Sequence, residues 1–355
     1  MRNSLLIFFL LLCTGIQAQV LTNTNLNLNV GGKIHDVAYD SYYDAYIVVG
    51  NFTSINGQAR NNLAFIDAQT LDVLPYNPIT SIDGEIRTIA LYSSIPVYTS
   101  FPPNPNNPDG QRYYMYLGGN FNTINSNTLP YLARFSATHM YASPPVGGTA
   151  PYSINSSWSI NGIYVAGFPQ FGVYDLHLDA DTLVVAGEFY SQETYYPSGQ
   201  RNFLSAYDVT TTVNDGWINL FPENAEDYNS YPVYSVEKFE NEYYMSILDE
   251  VFRYPSQGVN TTPSFDYQYT YSSNSANVRH VDFSTSSSGE SVIYSVYDKH
   301  SNGYAVEMDS INHVNTISAN ITSWDGFDIE VFNDYVFSCH SATSAGELSL
   351  SLIHI

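Results

Sequence analysis

The chain has 355 residues, 44% of them hydrophobic, which is enough apolar material for a folded core and excludes a chain that is disordered throughout. Asp and Glu outnumber Lys and Arg by 34 to 11, and the net charge of −23 argues against nucleic acid or an anionic membrane as a partner. Tyr (32), Phe (19), Gly (22) and Pro (17) are frequent, a mixture that favours many short strands joined by turns over helices.

Residues 1–18 predict a secretory signal peptide. An Arg is followed by the apolar run Leu5–Leu12 and then by small and polar residues that end at Ala18. The run is too short to span a membrane, and no later stretch is apolar enough to do so. We therefore expect cleavage after Ala18 and export, whereas lipidation of Cys13 is disfavoured because a Leu, not a small residue, precedes it. Cys339 is then the only cysteine of the mature chain, so no disulfide can form within it.

An internal repeat marks the next part of the chain. Its copies begin with YIVVGNF at Tyr46, YLGGNF at Tyr116 and LVVAGEF at Leu183. Three positions recur in every copy: a Gly (Gly50, Gly119, Gly187), a Phe two residues later (Phe52, Phe121, Phe189) and a Leu (Leu63, Leu132, Leu204). Such self-similarity indicates a fold built from repeated small units.

Strand-like segments before and beyond the repeat divide the chain into six hairpin units. The predicted strand pairs are 35–40 with 46–52, 85–92 with 113–121, 173–179 with 182–189, 233–239 with 243–248, 278–283 with 291–297, and 327–332 with 335–339. Third strands are predicted at 62–67, 131–137, 203–209, 249–254 and 303–309, and fourth strands around 75–77, 157–160 and 216–220. Two insertions, 93–111 and about 140–162, lengthen the second unit.

The last six residues, 350–355, read LSLIHI. They match the in-frame translation of the end sequence of a commonly used sequencing transposon, so we expect a sequencing-adapter artefact and a natural protein that continues past Ser349. A natural apolar tail is the alternative, and the sequence of an independently cloned gene decides between them. The predicted organisation is therefore a signal peptide (1–18), one folded domain (19–349) and the adapter-derived tail.

Four short antiparallel strands per unit, repeated along the chain, predict an all-β fold, a β-propeller of about six blades, or seven in the full-length protein. A β-solenoid needs shorter and more regular periods, and immunoglobulin-like tandems need longer modules. The segment Asn25–Ile34 is expected to supply a fourth strand to the last blade and so close the ring. Because the last unit stops near Gly346–Leu348, where its third strand should run, we expect that blade to be incomplete and the ring to be open or imperfectly closed.

The segment GNFTSINGQARNNLA, which starts at Gly50, resembles the delta-60 repeat. The first unit matches well over Val49–Asp67, the second matches in part, the third is degenerate, and later units keep only the strand rhythm. The resemblance implies a β-propeller in a secreted or cell-surface bacterial protein of the Bacteroidetes type. It also implies a C-terminal domain for type IX secretion, which is not visible in this sequence.

The repeated residues have structural explanations. The Gly of VVGNF and LGGNF lets a neighbouring backbone approach or lets the strand bulge. Asn56-Gly57 is a turn dipeptide after the second strand. Arg60 is expected to reach a turn carboxylate or backbone carbonyl groups of an adjacent blade.

No sequence motif for catalysis, phosphate binding or zinc binding is present, and we identify no catalytic, cofactor-binding or metal-binding residue. His35, His177 and His280 fall in opening strands around one predicted axis, where a shared metal is geometrically allowed but satisfied side chains are more common. Asp179-Ala-Asp181 has the alternation of a calcium loop but no third ligand, so turn formation is favoured. Cys339 is interpreted as a small core residue rather than a reactive thiol. No cofactor is expected.

Tyrosine-rich segments at 194–199, 229–234 and 266–273 are either contact surface for a ligand or ordinary sheet surface, where Tyr has high strand propensity. We therefore expect a monomeric, secreted or cell-surface propeller that binds a glycan or a protein without catalysis. A structural spacer in a larger exported protein and a polysaccharide-active enzyme with axial carboxylates are the alternatives. Unpaired carboxylates converging on one mouth of the channel would favour the enzyme, and a flat aromatic face would favour binding.

Overall fold

The computed structural model describes residues 24–41, 43–93, 113–137, 152–156, 158, 163–164, 172–192, 200–210, 217–218, 232–239, 241–247, 250–255, 266–270, 278–285, 291–298, 304–310, 325–332, 335–341 and 347–354. Side chains are described in 30–41, 43–92, 113–137, 152–156, 158, 172–189, 203–210, 218, 232–239, 241–247, 251–253 and 281. The predicted signal peptide lies outside these residues. Regular structure within them is entirely strand, which confirms the all-β prediction.

The first two sheets are built from the region of the clearest repeat. The first contains β1 (Thr24–Asp40), β2 (Ala45–Ile55), β3 (Gln58–Ala59) and β4 (Leu63–Asp67). The second contains β5 (Ile86–Ser93), β6 (Tyr113–Gly119), β9 (Leu132–Ala137) and β10 (Tyr152–Ile154), and a separate hairpin is formed by β7 (Thr123–Ile124) and β8 (Asn127–Thr128).

The remaining sheets follow in chain order. The third contains β11 (Ile163–Tyr164), β12 (Gly172–Asp179), β13 (Thr182–Gln192), β14 (Gln200–Asp208) and β15 (Trp217–Ile218). The fourth contains β16 (Val233–Phe239), β17 (Glu242–Ile247), β18 (Glu250–Pro255) and β19 (Asp266–Thr270). The fifth contains β20 (Val278–Thr285), β21 (Ser291–Asp298) and β22 (Tyr304–Ser310), and the last is formed by β23 (Asp325–Phe332), β24 (Tyr335–Ser341) and β25 (Glu347–His354) with part of β1.

All six predicted hairpins are confirmed as antiparallel pairs, β1/β2, β5/β6, β12/β13, β16/β17, β20/β21 and β23/β24. The fourth strands were predicted less well. Residues 75–77 form no strand, and in the second unit β10 takes the fourth place, inside the segment interpreted as an insertion. The prediction near 216–220 is met by β15, and the one at 157–160 lies outside the described residues except for Trp158. These outer segments are short and lack a strong alternation, so their sequence gives little sign of their pairing.

The N-terminal strand joins the first sheet to the last. Residues Thr24–Asn29 of β1 pair with Glu347–Leu352 of β25, and the later part of β1 pairs with β2. This confirms the closing strand expected from Asn25–Ile34. The expectation of an incomplete last blade is wrong, because β25 occupies the third place between β24 and β1. The alternation of Leu and Ser in ELSLSLIH suits a strand. The adapter origin of residues 350–355 is a separate question and stays a prediction.

The first strands of successive sheets surround a common axis. In chain order β1 contacts β5, and the contacts continue through β12, β16, β20 and β23, which contacts β1 again. This radial order of small antiparallel sheets is propeller-like. Apolar side chains fill the spaces between neighbouring sheets; one such cluster combines Val49 and Phe65 of the first unit with Met115 and Phe135 of the second.

Each of these first strands carries a β-bulge that is followed at once by a polar residue. The residues that follow the bulge are Asp36, Thr88, Asp175, Ser235, His280 and Asp328. The first four are buried and accept a hydrogen bond from the backbone N–H of the next sheet's first strand. The distances are 2.7 Å from Ile89 to Asp36, 3.1 Å from Leu176 to Thr88, 2.8 Å from Val236 to Asp175 and 3.2 Å from Val281 to Ser235. We call these four side chains the axial belt; they tie consecutive sheets together.

The repeated glycines sit where two backbones meet. A Cβ added at Gly50 would lie 2.1 Å from the carbonyl oxygen of Lys33, and one at Gly119 would lie 2.1 Å from that of Glu85. At Gly187 the corresponding distance, to the oxygen of Gly172, is 2.3 Å. The prediction that these glycines permit close backbone approach is confirmed, and the approach is between the first and second strands of one sheet.

The turns around the repeat follow local rules. Asn56 and Gly57 both have positive φ (49° and 76°) and join Ile55 to Gln58, which confirms the predicted turn. Arg60 is buried and donates to the backbone oxygens of Ala59 and Leu74. The expected carbonyl contacts are therefore present, although both lie in its own unit and not in an adjacent sheet.

At the far ends of the first strands, carboxylates receive tyrosine hydroxyl groups from the next sheet. Asp40 is fully buried and accepts from Tyr113 at 2.6 Å and Tyr152 at 2.7 Å. Asp179 accepts from Tyr243 at 2.9 Å and pairs with Lys238 at 2.6 Å. The carboxylate of Asp40 is thus an acceptor between sheets, and it also accepts the N–H of Tyr43 in its own turn.

Candidate functional site

The bulges bring an unusual set of residues to one end of the axis. In every first strand a residue with no partner in the register lies directly before the position of the axial belt; β1 has a second such residue, Gly31, further towards its beginning. The residues directly before the belt position are His35, Arg87, Tyr174, Tyr234, Arg279 and Phe327. The side chains of the last two are outside the described part of the structure. All six residue types are cationic or aromatic, which suits contact with a ligand.

The four described bulge side chains form a continuous rim. The guanidinium carbon of Arg87 lies 4.7 Å from the ring centroid of Tyr174. The rings of Tyr174 and Tyr234 are stacked, with centroids 5.4 Å apart and planes inclined by 26°. Tyr174 also donates its hydroxyl hydrogen to Glu188 at 2.9 Å. Cation–π contact and stacking hold these rings in fixed orientations.

Glu85 links the rim to the neighbouring groove. Its carboxylate lies 2.8 Å from Nε of Arg87 and 3.3 Å from Nε2 of His35, and Nδ2 of Asn51 donates to it at 3.4 Å. Burial alone would raise the pKa of Glu85, but hydrogen bonding and positive charge from His35 and Arg87 outweigh it and lower the pKa to about 2.

This shift predicts a pH dependence of stability. Since the folded pKa of Glu85 lies below the ordinary value of 4.5, its ionised form stabilises the fold above about pH 4.5, and that contribution is lost as the pH falls towards 2. Glu85→Gln should therefore lower the melting temperature near pH 7 and reduce its loss between pH 4.5 and 2. Thermal melts of both proteins across this range test the prediction; parallel curves with a constant offset would contradict it.

A polar groove of about 380 Å³ lies beside Glu85, between the first and second sheets. It is lined on one side by the end of β2 and on the other by the segment that leads into β5 (Asn51, Phe52, Thr53, Asn61, Asn62, Ile82, Asp83, Gly84, Glu85, Asn120). A Cβ at Gly84 would lie 2.7 Å from Oδ1 of Asn120, so only glycine allows the segment before β5 to pack this closely against Asn120.

The polar side chains of the groove are anchored to the backbone. Oδ1 of Asn120 accepts the N–H of Glu85 at 2.8 Å, and Oδ1 of Asp83 accepts the N–H groups of Asn122 and Thr123, each at 2.8 Å. Asn61 donates Nδ2 to the backbone oxygen of Thr80 at 2.7 Å. The hydrogen bonds from Asn122 and Thr123 outweigh burial and lower the pKa of Asp83. These groups are fixed before any ligand arrives.

Of the three histidines weighed as metal ligands, the two whose side chains are described, His35 and His177, are not brought together. His35 lies at a bulge and contacts Glu85, whereas His177 lies further along its strand, 2.8 Å from Glu237. Burial of His177 disfavours its charge, but Glu237 and the nearby Asp175 outweigh this and raise its pKa. The side chain of His280 is outside the described part. Among the described residues no group of three His, Cys, Asp or Glu side chains is placed to hold a metal ion.

The remaining residues that the sequence singled out are an acidic turn, the tyrosine-rich segments and Cys339. Asp181 accepts a hydrogen bond from Tyr92 at 2.6 Å and Asp179 is bound as described above, so the turn is tied to tyrosines of both neighbouring sheets. Of the tyrosine-rich segments, 229–234 supplies Tyr234 of the rim, and the tyrosine side chains of 194–199 and 266–273 are not described. Cys339 lies in β24 opposite Leu350, and its side chain is not described.

Sequence reasoning missed the rim and the axial belt. A signal was present: each first strand contains a large cationic or aromatic residue, then a polar residue, then an aliphatic one. The triplets are His35-Asp-Val, Arg87-Thr-Ile, Tyr174-Asp-Leu, Tyr234-Ser-Val, Arg279-His-Val and Phe327-Asp-Ile. Because the residue types differ, the pattern becomes visible only when the bulges align the strands.

No family model and no curated protein matches this sequence. Solved structures that resemble it include the β-propeller domain of Cps50 (Swd1) from Myceliophteria thermophila, at 10% identity and a TM-score of 0.49, covering 94% of this chain and 99% of that chain. The extracellular domain of BT4673, described as a hybrid two component system of B. thetaiotaomicron, is 13% identical, with a TM-score of 0.42, covering 91% of this chain and 38% of that chain. The computationally designed Ika8 protein is 8% identical, with a TM-score of 0.41, covering 92% and 97%. The structural neighbours thus include β-propeller domains, and the delta-60 resemblance stays a prediction.

Helices long and apolar enough to cross a membrane are absent from the part of the chain that the structure describes.

Proposed function

We propose that the chain is a secreted or cell-surface β-propeller of six blades that binds a glycan, without catalysis, through the face that carries the rim. The cyclic contacts between first strands and the closing pair β1/β25 support the ring. The predicted signal peptide and the delta-60 resemblance support export. The observation that carries the binding function is the stacked pair Tyr174 and Tyr234 beside a polar groove.

The tyrosine pair has the properties of a binding surface. Burial, and then the carboxylate of Glu188, raise the pKa of Tyr174 against the opposing influence of Arg87, so its hydroxyl stays protonated at neutral pH. The rings are half-buried and held by Arg87 on one side. Rigid amphipathic rings give contact area at a small entropic cost, which suits the apolar face of a sugar ring.

The alternatives receive less support from the same groups. A carboxylate that acts as acid or base at neutral pH needs a pKa near its working range, whereas Glu85 is ion-paired and its pKa is lowered to about 2. A spacer would need no rim of cationic and aromatic residues. A protein ligand is the second candidate, since tyrosine and arginine are enriched at protein interfaces.

The proposal is tested with the full mature chain on a panel of immobilised polysaccharides, with retention and released sugar measured together. We expect retention on at least one polysaccharide and no product. Tyr174→Ala and Tyr234→Ala should each weaken retention by about tenfold, or about 1.4 kcal/mol, because each removes a rigid aromatic ring from the contact surface. A matched control is Tyr46→Ala, whose ring contacts Tyr39 near the opposite end of the strands.

Release of sugar would contradict the non-catalytic assignment. Absence of retention on every polysaccharide would contradict the glycan assignment and leave the protein ligand as the candidate to pursue.

A further inference from the structure

The groove between the first and second sheets has a defined set of polar atoms. Three side chains that line the groove are each bonded to the backbone: Oδ1 of Asn120 accepts the N–H of Glu85, Oδ1 of Asp83 accepts the N–H of Asn122, and Nδ2 of Asn61 donates to the oxygen of Thr80. Each side chain is thus held in place by the backbone, and the side chain of Thr123 also hydrogen-bonds to the Asp83 carboxylate. This is the arrangement of a preorganised polar site.

The chemistry of these atoms selects hydroxyl groups. A sugar hydroxyl both donates and accepts, so neighbouring hydroxyls can donate to the Asp83 carboxylate and accept from the Asn120 amide. The volume of about 380 Å³ lies within the range of small-molecule sites, roughly 300–1,000 Å³. The side chain of Ile82 adds an apolar patch to the lining.

Charge excludes anionic ligands from the same place. The two charged groups in the lining, Asp83 and Glu85, are both carboxylates, and the adjacent cations Arg87 and His35 face Glu85. The whole chain adds a net charge of −23. An acidic sugar would meet like charge on approach, whereas a neutral sugar would not.

We propose that this groove binds a neutral sugar residue of the glycan that the rim engages, with Asp83 and Asn120 hydrogen-bonding to its hydroxyl groups. The inference rests on the proposed glycan-binding function and adds both the ligand class and a second contact region. Glu85 joins the two regions, since it lines the groove and is bonded to Arg87 of the rim.

Two isosteric variants test the groove without removing its anchors. Asp83→Asn keeps Oδ1 for the backbone N–H groups of Asn122 and Thr123 but replaces the second oxygen by an amide. Asn120→Asp keeps Oδ1 for Glu85 but replaces the donor by an oxygen. Asp72→Asn is the matched control for Asp83→Asn, because it removes the same charge at an exposed site outside the groove, whereas Asn120→Asp adds a charge.

Affinities are measured by calorimetry for soluble neutral polysaccharides (a β-glucan, an α-mannan and a galactan) and for the anionic polygalacturonate and alginate, with melting temperatures recorded for each variant. We expect the wild type to prefer a neutral polysaccharide. Asp83→Asn and Asn120→Asp should each weaken the affinity for that polysaccharide by about tenfold, and Asp72→Asn should leave this affinity unchanged.

If both groove variants fold and bind with wild-type affinity while Tyr174→Ala binds more weakly, the assignment of a sugar site to the groove is wrong. The assignment of glycan binding to the rim would then still hold. Preference of the wild type for an anionic polysaccharide would overturn the neutral assignment. Absence of binding to every polysaccharide would refute the proposed function and this inference with it.

Discussion

Gly50→Ala should destabilise the fold by about 3 kcal/mol or more, among the largest effects expected of any single substitution in this chain. The new Cβ would lie 2.1 Å from the carbonyl oxygen of Lys33 and 2.9 Å from the Cα of Ile34, and both are backbone atoms in a paired strand. No side-chain rotation relieves such a contact. The two strands must separate, which weakens the first sheet where it continues into the closing strand.

The measurement is the thermal or denaturant unfolding transition of Gly50→Ala beside Gly57→Asn. Gly57 has a φ of 76°, and no atom lies within 4 Å of an added Cβ, so Asn, which tolerates this conformation, should cost little. A Gly50→Ala protein that melts within a degree or so of the Gly57→Asn protein would show that the strands at Gly50 are not as close as described.

Asp175→Ala should cost about 2–4 kcal/mol, because it leaves buried hydrogen-bond donors without their acceptor. The carboxylate of Asp175 is 7% exposed and accepts the N–H of Val236 from the next sheet and that of Leu176 from its own, each at 2.8 Å. It also lies 3.3 Å from the hydroxyl oxygen of Thr88 in the preceding sheet. One side chain thus connects three consecutive sheets.

The control for this prediction is Asp72→Ala, which removes the same group from an exposed position and should change the unfolding free energy by less than about 0.5 kcal/mol. Hydrogen exchange gives a second reading, since the Val236 amide should lose protection in Asp175→Ala more than amides at the centres of strands. Equal stability of the two variants would contradict the role assigned to the axial belt.

Much of the architecture could be predicted because its determinants are local. Alternating strands and turn dipeptides such as Asn56-Gly57 specify hairpins through backbone geometry alone. The role of Gly50, Gly119 and Gly187 could be predicted because each is followed two residues later by a Phe in a repeated sequence motif. The closing strand was predicted from the segment Asn25–Ile34, which precedes the first hairpin.

The parts that could not be predicted depend on contacts between distant segments. The rim of Arg87, Tyr174 and Tyr234 arises because bulges in different sheets meet around one axis. The burial of Asp40 depends on Tyr113 and Tyr152, which lie far away along the chain. In the groove, Asp83 and Asn120 are fixed by backbone groups of one another's segments, and no sequence spacing reveals that.

Hydrogen–deuterium exchange of the full mature chain, with and without a retained polysaccharide, tests the central claim most directly. The account predicts protection at the beginnings of the first strands, around Arg87 and Tyr174, and in the groove around Asp83. The hairpin turns at the opposite ends, such as the turn at Asp44, should be unchanged. Protection confined to those turns, or no change in the exchange of the rim and groove at saturating ligand, would contradict it.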